Sequence, residues 1–91
     1  MKRDVWSALS SKIRRDIISL LGNNELTAGE IANHFSLTKA TISHHLSILK
    51  EVDLVHIEKD KNSIIYYLNQ NVMNELTTAF NFMTLKKESN S

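Results

Sequence analysis

Apolar positions recur with a helical period up to about residue 50 and then change to a period of two. Val5, Trp6 and Leu9 have helical spacing in a short first helix. Ile13, Ile17, Leu20 and Leu21 repeat that spacing in a second helix, which Ser10 or Ser11 caps and Gly22-Asn23-Asn24 ends. Thr27 with Glu30 three residues on is a capping box that opens a third helix, with Ala28, Ile31, Ala32 and Phe35 on its apolar face. Ser36-Leu37-Thr38 leaves room only for a tight turn before a fourth helix from Thr38 to Lys50, whose Ile42, Leu46 and Leu49 point inward. Beyond Asp53, Val55 and Ile57 alternate with His56 and Glu58, and Ile65 and Tyr67 alternate with Ile64, Tyr66 and Leu68. These are two strands, joined through a polar turn at Lys59-Asp60-Lys61-Asn62-Ser63. A last helix, from about Val72 to Lys86, carries Val72, Met73, Leu76, Ala79, Phe80, Phe82, Met83 and Leu85, which wrap more than one face.

Two short helices separated by a three-residue turn make a helix-turn-helix. Its spacing is physically constrained: Ala32 must be small where the helices cross, Leu37 plugs the turn, and Ile42 anchors the second helix. The hairpin that follows is a candidate wing. The expected fold is mainly α with a small β-hairpin, a winged helix-turn-helix in the order α-α-α-α-β-β-α, forming one domain over residues 1–91.

A chain of 91 residues buries a small share of its surface, which favours self-association. The sequence holds no cysteine, so disulfides and thiolate zinc sites are excluded. It has no apolar run of membrane-spanning length, and the expected location is the cytoplasm. Eleven basic and ten acidic side chains nearly cancel to +1, so distribution carries more information than the sum. From Ile31 to Lys50 there is no Asp or Glu, and His34, Lys39, His44, His45 and Lys50 fall there among Ser36, Thr38, Thr41, Ser43 and Ser47. That segment can lie against phosphates without repulsion.

On the fourth helix, Lys39, Ala40, Ser43, His44 and Ser47 share the face opposite Ile42, Leu46 and Leu49. Lys39 suits guanine O6 or N7, Ser43 and His44 both donate and accept, and Ala40 matches a thymine methyl. Ser36 in the turn, Thr38, Thr41 and the helix N-terminus suit phosphate oxygens, and His44 or His45 adds attraction to phosphate if protonated near pH 6. Lys59, Lys61 and Asn62 at the wing tip would reach a phosphate or the minor groove, with Asp60 opposing them. The alternative is that face and tip are simply solvated. The surplus apolar residues of the first and last helices, Val5, Trp6, Leu9, Val72, Leu76, Phe80 and Met83, are candidates for a two-fold interface that sets two recognition helices about 34 Å apart.

His44 and His45 are adjacent and point about 100° apart on a helix, so they do not share a metal ion. His34 and His56 have no ligand neighbours at metal spacing. No glycine-rich phosphate loop, nucleophile elbow or carboxylate pair suggests an enzyme, and no cofactor is expected.

The segments Ala8–Leu21, Leu37–Lys50 and Ile65–Asn69 resemble the opening helix, recognition helix and second wing strand of the ArsR/SmtB winged-helix repressors, with Ser43-His44-His45-Leu46 especially typical. The resemblance implies a dimeric repressor of an operator palindrome, with Lys39, Ala40, Ser43 and His44 matching the family's DNA contacts. Metal-sensing members carry Cys-x-Cys where this chain has Thr27-Ala28-Gly29. Other members bind zinc on the last helix, at positions matching Gln70, Val72, Met83 and Lys86 here, none of which is a suitable ligand. Many members have proline at Lys12, and many helix-turn-helix proteins have glycine at the turn position that here is Ser36. The layout is similar to the metal-independent SdpR-type autorepressors, which implies a membrane-located protein partner that sequesters the repressor. The competing expectations are a metal- or small-molecule-responsive repressor and a winged-helix protein-interaction module.

Overall fold

The computed structural model describes residues 4–89, with side chains described as far as Thr84. The side chains of Leu85 and Lys86 thus lie outside the described residues. Five helices and three strands follow in the order α1 (Val5–Ala8), α2 (Lys12–Leu21), β1 (Leu26–Thr27), α3 (Ala28–Phe35), α4 (Lys39–Glu51), β2 (Val55–Asp60), β3 (Ser63–Leu68) and α5 (Gln70–Ser89). The fold is the expected winged helix-turn-helix, with one addition. The hairpin is part of a three-stranded antiparallel sheet of order β1-β3-β2, in which Leu26 pairs with Tyr66 and Thr27 with Ile65. A two-residue strand has no periodicity to announce it, and its pairing is decided by the approach of β3.

Capping residues set where each helix starts. Ser11 Oγ accepts from Arg14 N at the start of α2, and Thr38 Oγ1 accepts from Thr41 N at the start of α4. Thr27 Oγ1 accepts from Glu30 N at 3.1 Å, and the Glu30 carboxylate accepts from Thr27 N at 2.9 Å, completing the capping box. Thr27 therefore ends β1 and opens α3 at once.

The turn between α3 and α4 closes with paired bonds. Ser36 is left-handed (φ 55°), its N–H donates to Asn33 O, and the N–H of Leu37 reaches back to Ala32 O at 3.0 Å. The same arrangement ends α4, where Asp53 is left-handed (φ 63°), its N–H donates to Lys50 O, and Leu54 N–H donates to Leu49 O. Leu49 and Leu54 are both fully buried, giving that second closure an apolar clasp. Gly22 ends α2 differently: it stays right-handed (φ −59°), and Asn24 Nδ2 donates to Leu20 O beyond it.

The core is formed by Ala8, Ile17, Ile31, Ala32, Ile42, Leu46, Leu49, Leu54 and Val55 with their neighbours, so α2, α3, α4 and the base of β2 share one interior. Ala32 is buried at the helix crossing as the spacing requires. Leu37, expected to plug the turn, remains 37% exposed, because the turn is closed by backbone bonds rather than by its side chain. Ile48, one residue before Leu49, is also buried, so the inward face of α4 is wider than a single stripe.

The boundaries of the wing turn and of the last helix differ from the sequence expectation, the helix reaching Ser89. The wing turn consists of Lys61 and Asn62 alone, since Lys59 pairs with Ile64 and Asp60 with Ser63 within the ladder. Polar composition marks solvent exposure, and these exposed strand ends are polar without being loop. Helix α5 starts two residues earlier than expected, at Gln70, because Asn69 anchors it: Asn69 N donates to Leu54 O, its Nδ2 to Asp53 O, and its Oδ1 accepts from Val72 N.

A left-handed serine carries a steric cost that glycine lacks. Ser36→Gly is therefore expected to stabilise the domain, by up to about 1 kcal/mol after the loss of unfolded-state restriction. Urea unfolding checks this, and a destabilised variant would show that the Ser36 side chain contributes more than its conformation costs.

Candidate nucleic-acid interface

The inward pull of Ile42, Leu46, Ile48 and Leu49 leaves Lys39, Ala40, Thr41, Ser43, His44 and Ser47 exposed on the outer side of α4. Thr38 Oγ1 donates to Thr41 Oγ1 at 2.8 Å while accepting from Thr41 N, so the Thr38 proton is used within the cap and the Thr41 proton points elsewhere. Of these two, Thr41 keeps a donor for an anion. The first turn of α4 contains no acid. The one carboxylate in the first turn of α3, Glu30, is engaged by its own capping box.

Lys39 and Ser43 face the wing across a groove of about 420 Å³. Asn62, Ser63, Ile64 and Tyr66 form its wing side, and Thr27, Ala28 and Gly29 its floor at the start of α3. The structure thus brings three expected contact residues, Lys39, Ser43 and Asn62, around one concavity. Lys59 and Lys61 are exposed on the wing outside it, as are Ala40, His44 and Ser47 on the helix and Ser36 in the turn. Ile64, 47% exposed on the groove wall, was not among the expected contacts. The available signal was the strand period: Ile64 shares a side with Tyr66 and Leu68, but lies farther from the core toward the tip.

His45 is placed differently from its neighbours. It is half-buried, and Arg14 Nη1 lies 3.2 Å from its Nδ1. Arginine has no acceptor, so Nδ1 must accept and the imidazole is neutral with its proton on Nε2. Burial, then the Arg14 charge, then His44 lower the His45 pKa below 6.5. The expected gain of phosphate attraction through His45 near pH 6 is therefore opposed by its surroundings.

A second surface is apolar. Trp6 on α1 and Leu9 at its C-terminal cap face Met73, Leu76, Thr77 and Phe80 on α5 across a groove of about 280 Å³. Trp6 and Phe80 are 63% and 64% exposed, far more than isolated core residues would be. Of the expected interface residues, Trp6, Leu9, Leu76 and Phe80 share this groove. Val5 and Val72 are half-buried against the core, and Met83 lies instead with Ala79 and Phe82 on another side of α5.

Among the described residues, no three His, Asp or Glu side chains gather as a metal site. At Thr27-Ala28-Gly29 the hydroxyl of Thr27 is committed to Glu30 N, and no thiolate is available, so these residues do not suit the thiolate site of metal-sensing relatives. No helix of the described residues is long and apolar enough to cross a membrane.

The lowered His45 pKa sets the sign of a pH effect. The unfolded chain binds a proton near 6.5 while the folded one resists it, so this contribution to stability is present above 6.5 and is lost as pH falls from there toward the folded pKa. Urea unfolding between pH 5 and 8 should show that decline, and His45→Gln should flatten it; an identical slope in the variant would contradict the assignment.

The bacterial regulatory protein arsR family profile matches residues 11–56, from the cap of α2 into β2. The chain is 40% identical over 72 residues to the transcriptional repressor SdpR of Bacillus subtilis (strain 168), covering 79% of this chain and 80% of that one. It is 31% identical over 84 residues to the arsenical resistance operon repressor of Staphylococcus aureus, covering 92% and 81% of the two chains. Among solved structures, the homodimeric winged helix-turn-helix DNA-binding domain from Mycobacterium bovis, described as a possible ArsR-family regulator, superposes with a TM-score of 0.76 at 24% identity over 88% of this chain and 74% of that one. The last likeness shows the fold; the profile match and the curated relatives show more, and the chain belongs to the arsR family of bacterial regulatory proteins, which are not enzymes.

Proposed function

We propose that the chain is a homodimeric transcriptional repressor that binds an inverted-repeat operator in double-stranded DNA without a metal cofactor. The observation that carries this reading is the outer face of α4, which holds no acid from Lys39 to Lys50 and shares one groove with the wing. In this reading Lys39, Ala40, Ser43, His44 and Ser47 meet base edges in the major groove, and Ser36, Thr38 and Thr41 meet the backbone. Lys59, Lys61 and Asn62 bring the wing to the flanking phosphates or minor groove. His45 supports the helix from its inner side.

Residues 1–91 act as one domain whose first and last helices form the dimer interface. Burying Trp6, Leu9, Leu76 and Phe80 against a second copy removes surface that water solvates poorly, with Val5 and Val72 behind them and Met83 at the margin. The likeness to SdpR extends the proposal to a cytoplasmic autorepressor relieved by a membrane-located protein that sequesters it. Metal independence is supported by the donor chemistry at Thr27-Ala28-Gly29, although the arsenical and cadmium regulators are among the relatives.

Selection of duplexes from a random pool at two salt concentrations, with and without a chelator, tests the reading directly. It is expected to recover an inverted repeat whose affinity falls with salt and ignores the chelator. Chelator sensitivity would favour a metal-responsive repressor, and no enrichment would favour a protein-interaction module. On the recovered operator, Lys39→Ala and His44→Ala should each cost about 1–3 kcal/mol with the fold intact. Unchanged affinity would remove those residues from the contact face. Phe80→Asp should yield a monomer with weak operator binding, and a variant that still sediments as a dimer would place the interface elsewhere.

A further inference from the structure

Arg14 was absent from the expected site, yet its guanidinium joins two elements that the proposed function uses separately. From the first turn of α2, its Nε donates to Ala8 O at 2.6 Å and its Nη2 to Ser7 O at 3.5 Å, both carbonyls at the end of α1. Its Nη1 donates to His45 Nδ1 at 3.2 Å, in the middle of α4. The planar fork of arginine allows three directed bonds from one rigid group.

Helix α1 has four residues, too few to hold itself in water; Ser7 O accepts from Ser10 N and Ser10 Oγ as well as from Arg14, while Ala8 O accepts from Arg14 Nε. Its place depends on the burial of Ala8 and on such tethers, with Arg15 Nη1 adding a bond to Leu9 O at 2.8 Å. The same short helix and its cap carry Trp6 and Leu9 of the apolar groove. His45 in turn lies directly after Ser43 and His44 and one residue before the turn that carries Ser47. The charged and titratable groups bearing on it are Arg14 from α2 and His44 from α4.

We propose that Arg14 is a positioning residue for DNA recognition: through His45 it couples the seating of α1, and with it the α1–α5 groove, to the seating of α4. A shift of α1 by a second copy moves the carbonyls that hold the guanidinium, and the guanidinium carries that shift to the recognition helix. Since coupling is reciprocal, DNA on α4 also biases the α1 surface. The inference rests on the DNA-binding reading above.

Two measurements test it in the full chain. In a double-variant cycle on the selected operator, Arg14→Met and His45→Phe should each weaken specific binding about tenfold, a coupling of ordinary size. The double variant should be no weaker than the worse single one, and salt-driven binding to unrelated duplex should be unchanged in all three. Additive losses, or an equal loss of unspecific binding, would overturn the link. Should Arg14→Met fail to fold, Arg14→Lys keeps the charge and one α1 bond but lacks the fork, and the same non-additivity is expected with it.

The second measurement follows the His45 imidazole by NMR. Asp4→Ala removes the cap whose Oδ1 accepts from Ser7 N at 2.7 Å, at the far end of α1 from α4. It should shift the His45 resonances in the wild-type background and leave them unmoved when Arg14 is replaced. No response to Asp4→Ala would overturn the coupling whatever the DNA result. A wild-type chain that binds no specific duplex would overturn the DNA reading and this role with it, while a His45 response to Asp4→Ala would still report the α1–α4 link, so the two failures are told apart.

Discussion

Ile42, Leu46 and Leu49 are withdrawn from water on one side of α4, and burying three such side chains stabilises the seating of that helix by about 1.5–3 kcal/mol each. They meet Ile17 of α2 and Ile31 of α3 within one core, while Val55 at the base of β2 closes the same interior. Because a helix has a rigid angular period, fixing its inner face fixes its outer one. The directions of Lys39, Ser43 and His44 are therefore consequences of packing, and the rest of the site is arranged around that orientation. The wing is coupled to it as well, since β2 grows out of the turn that Leu54 buries at the end of α4.

Two left-handed residues make this arrangement compact. Ser36 lets α3 reverse into α4 within three residues, and Asp53 turns the chain from α4 into the sheet, each with paired backbone bonds that satisfy the final carbonyls. The chain accepts conformational cost at both points, without glycine, in return for a fixed angle between α3, α4 and the wing. Asn69 performs a related task on the other side, tying the start of α5 to the same Asp53–Leu54 turn. The recognition helix, wing and last helix thus share one junction.

The outer elements are less self-sufficient. Helix α1 is a single turn held by arginine bonds to its carbonyls, and α5 exposes Phe80, Phe82 and Met83 on different sides. Neither is a stable surface for a monomer, whereas the interior formed by α2, α3, α4 and β2 is. This division fits the proposed function, in which α4 and the wing are held rigid by the interior and the surface of α1 and α5 is completed by association.

Much of this protein was determined by the sequence itself, because caps, helical periods and strand alternation are local. The box at Thr27 and Glu30, the cap at Thr38 and the inward stripe of α4 follow from residues close together in the chain, and the arsR membership from the order of residues 11–56. Tertiary structure alone decided what depends on contacts distant in sequence. Leu26 and Thr27 become a strand only because β3 runs beside them, and Lys59 and Asp60 leave the turn because Ile64 and Ser63 pair with them. Ile64 joins the groove through the position of α4, and His45 meets Arg14, 31 residues earlier, at 3.2 Å. Period and composition describe which side of an element faces water; they carry no information on which other element lies opposite.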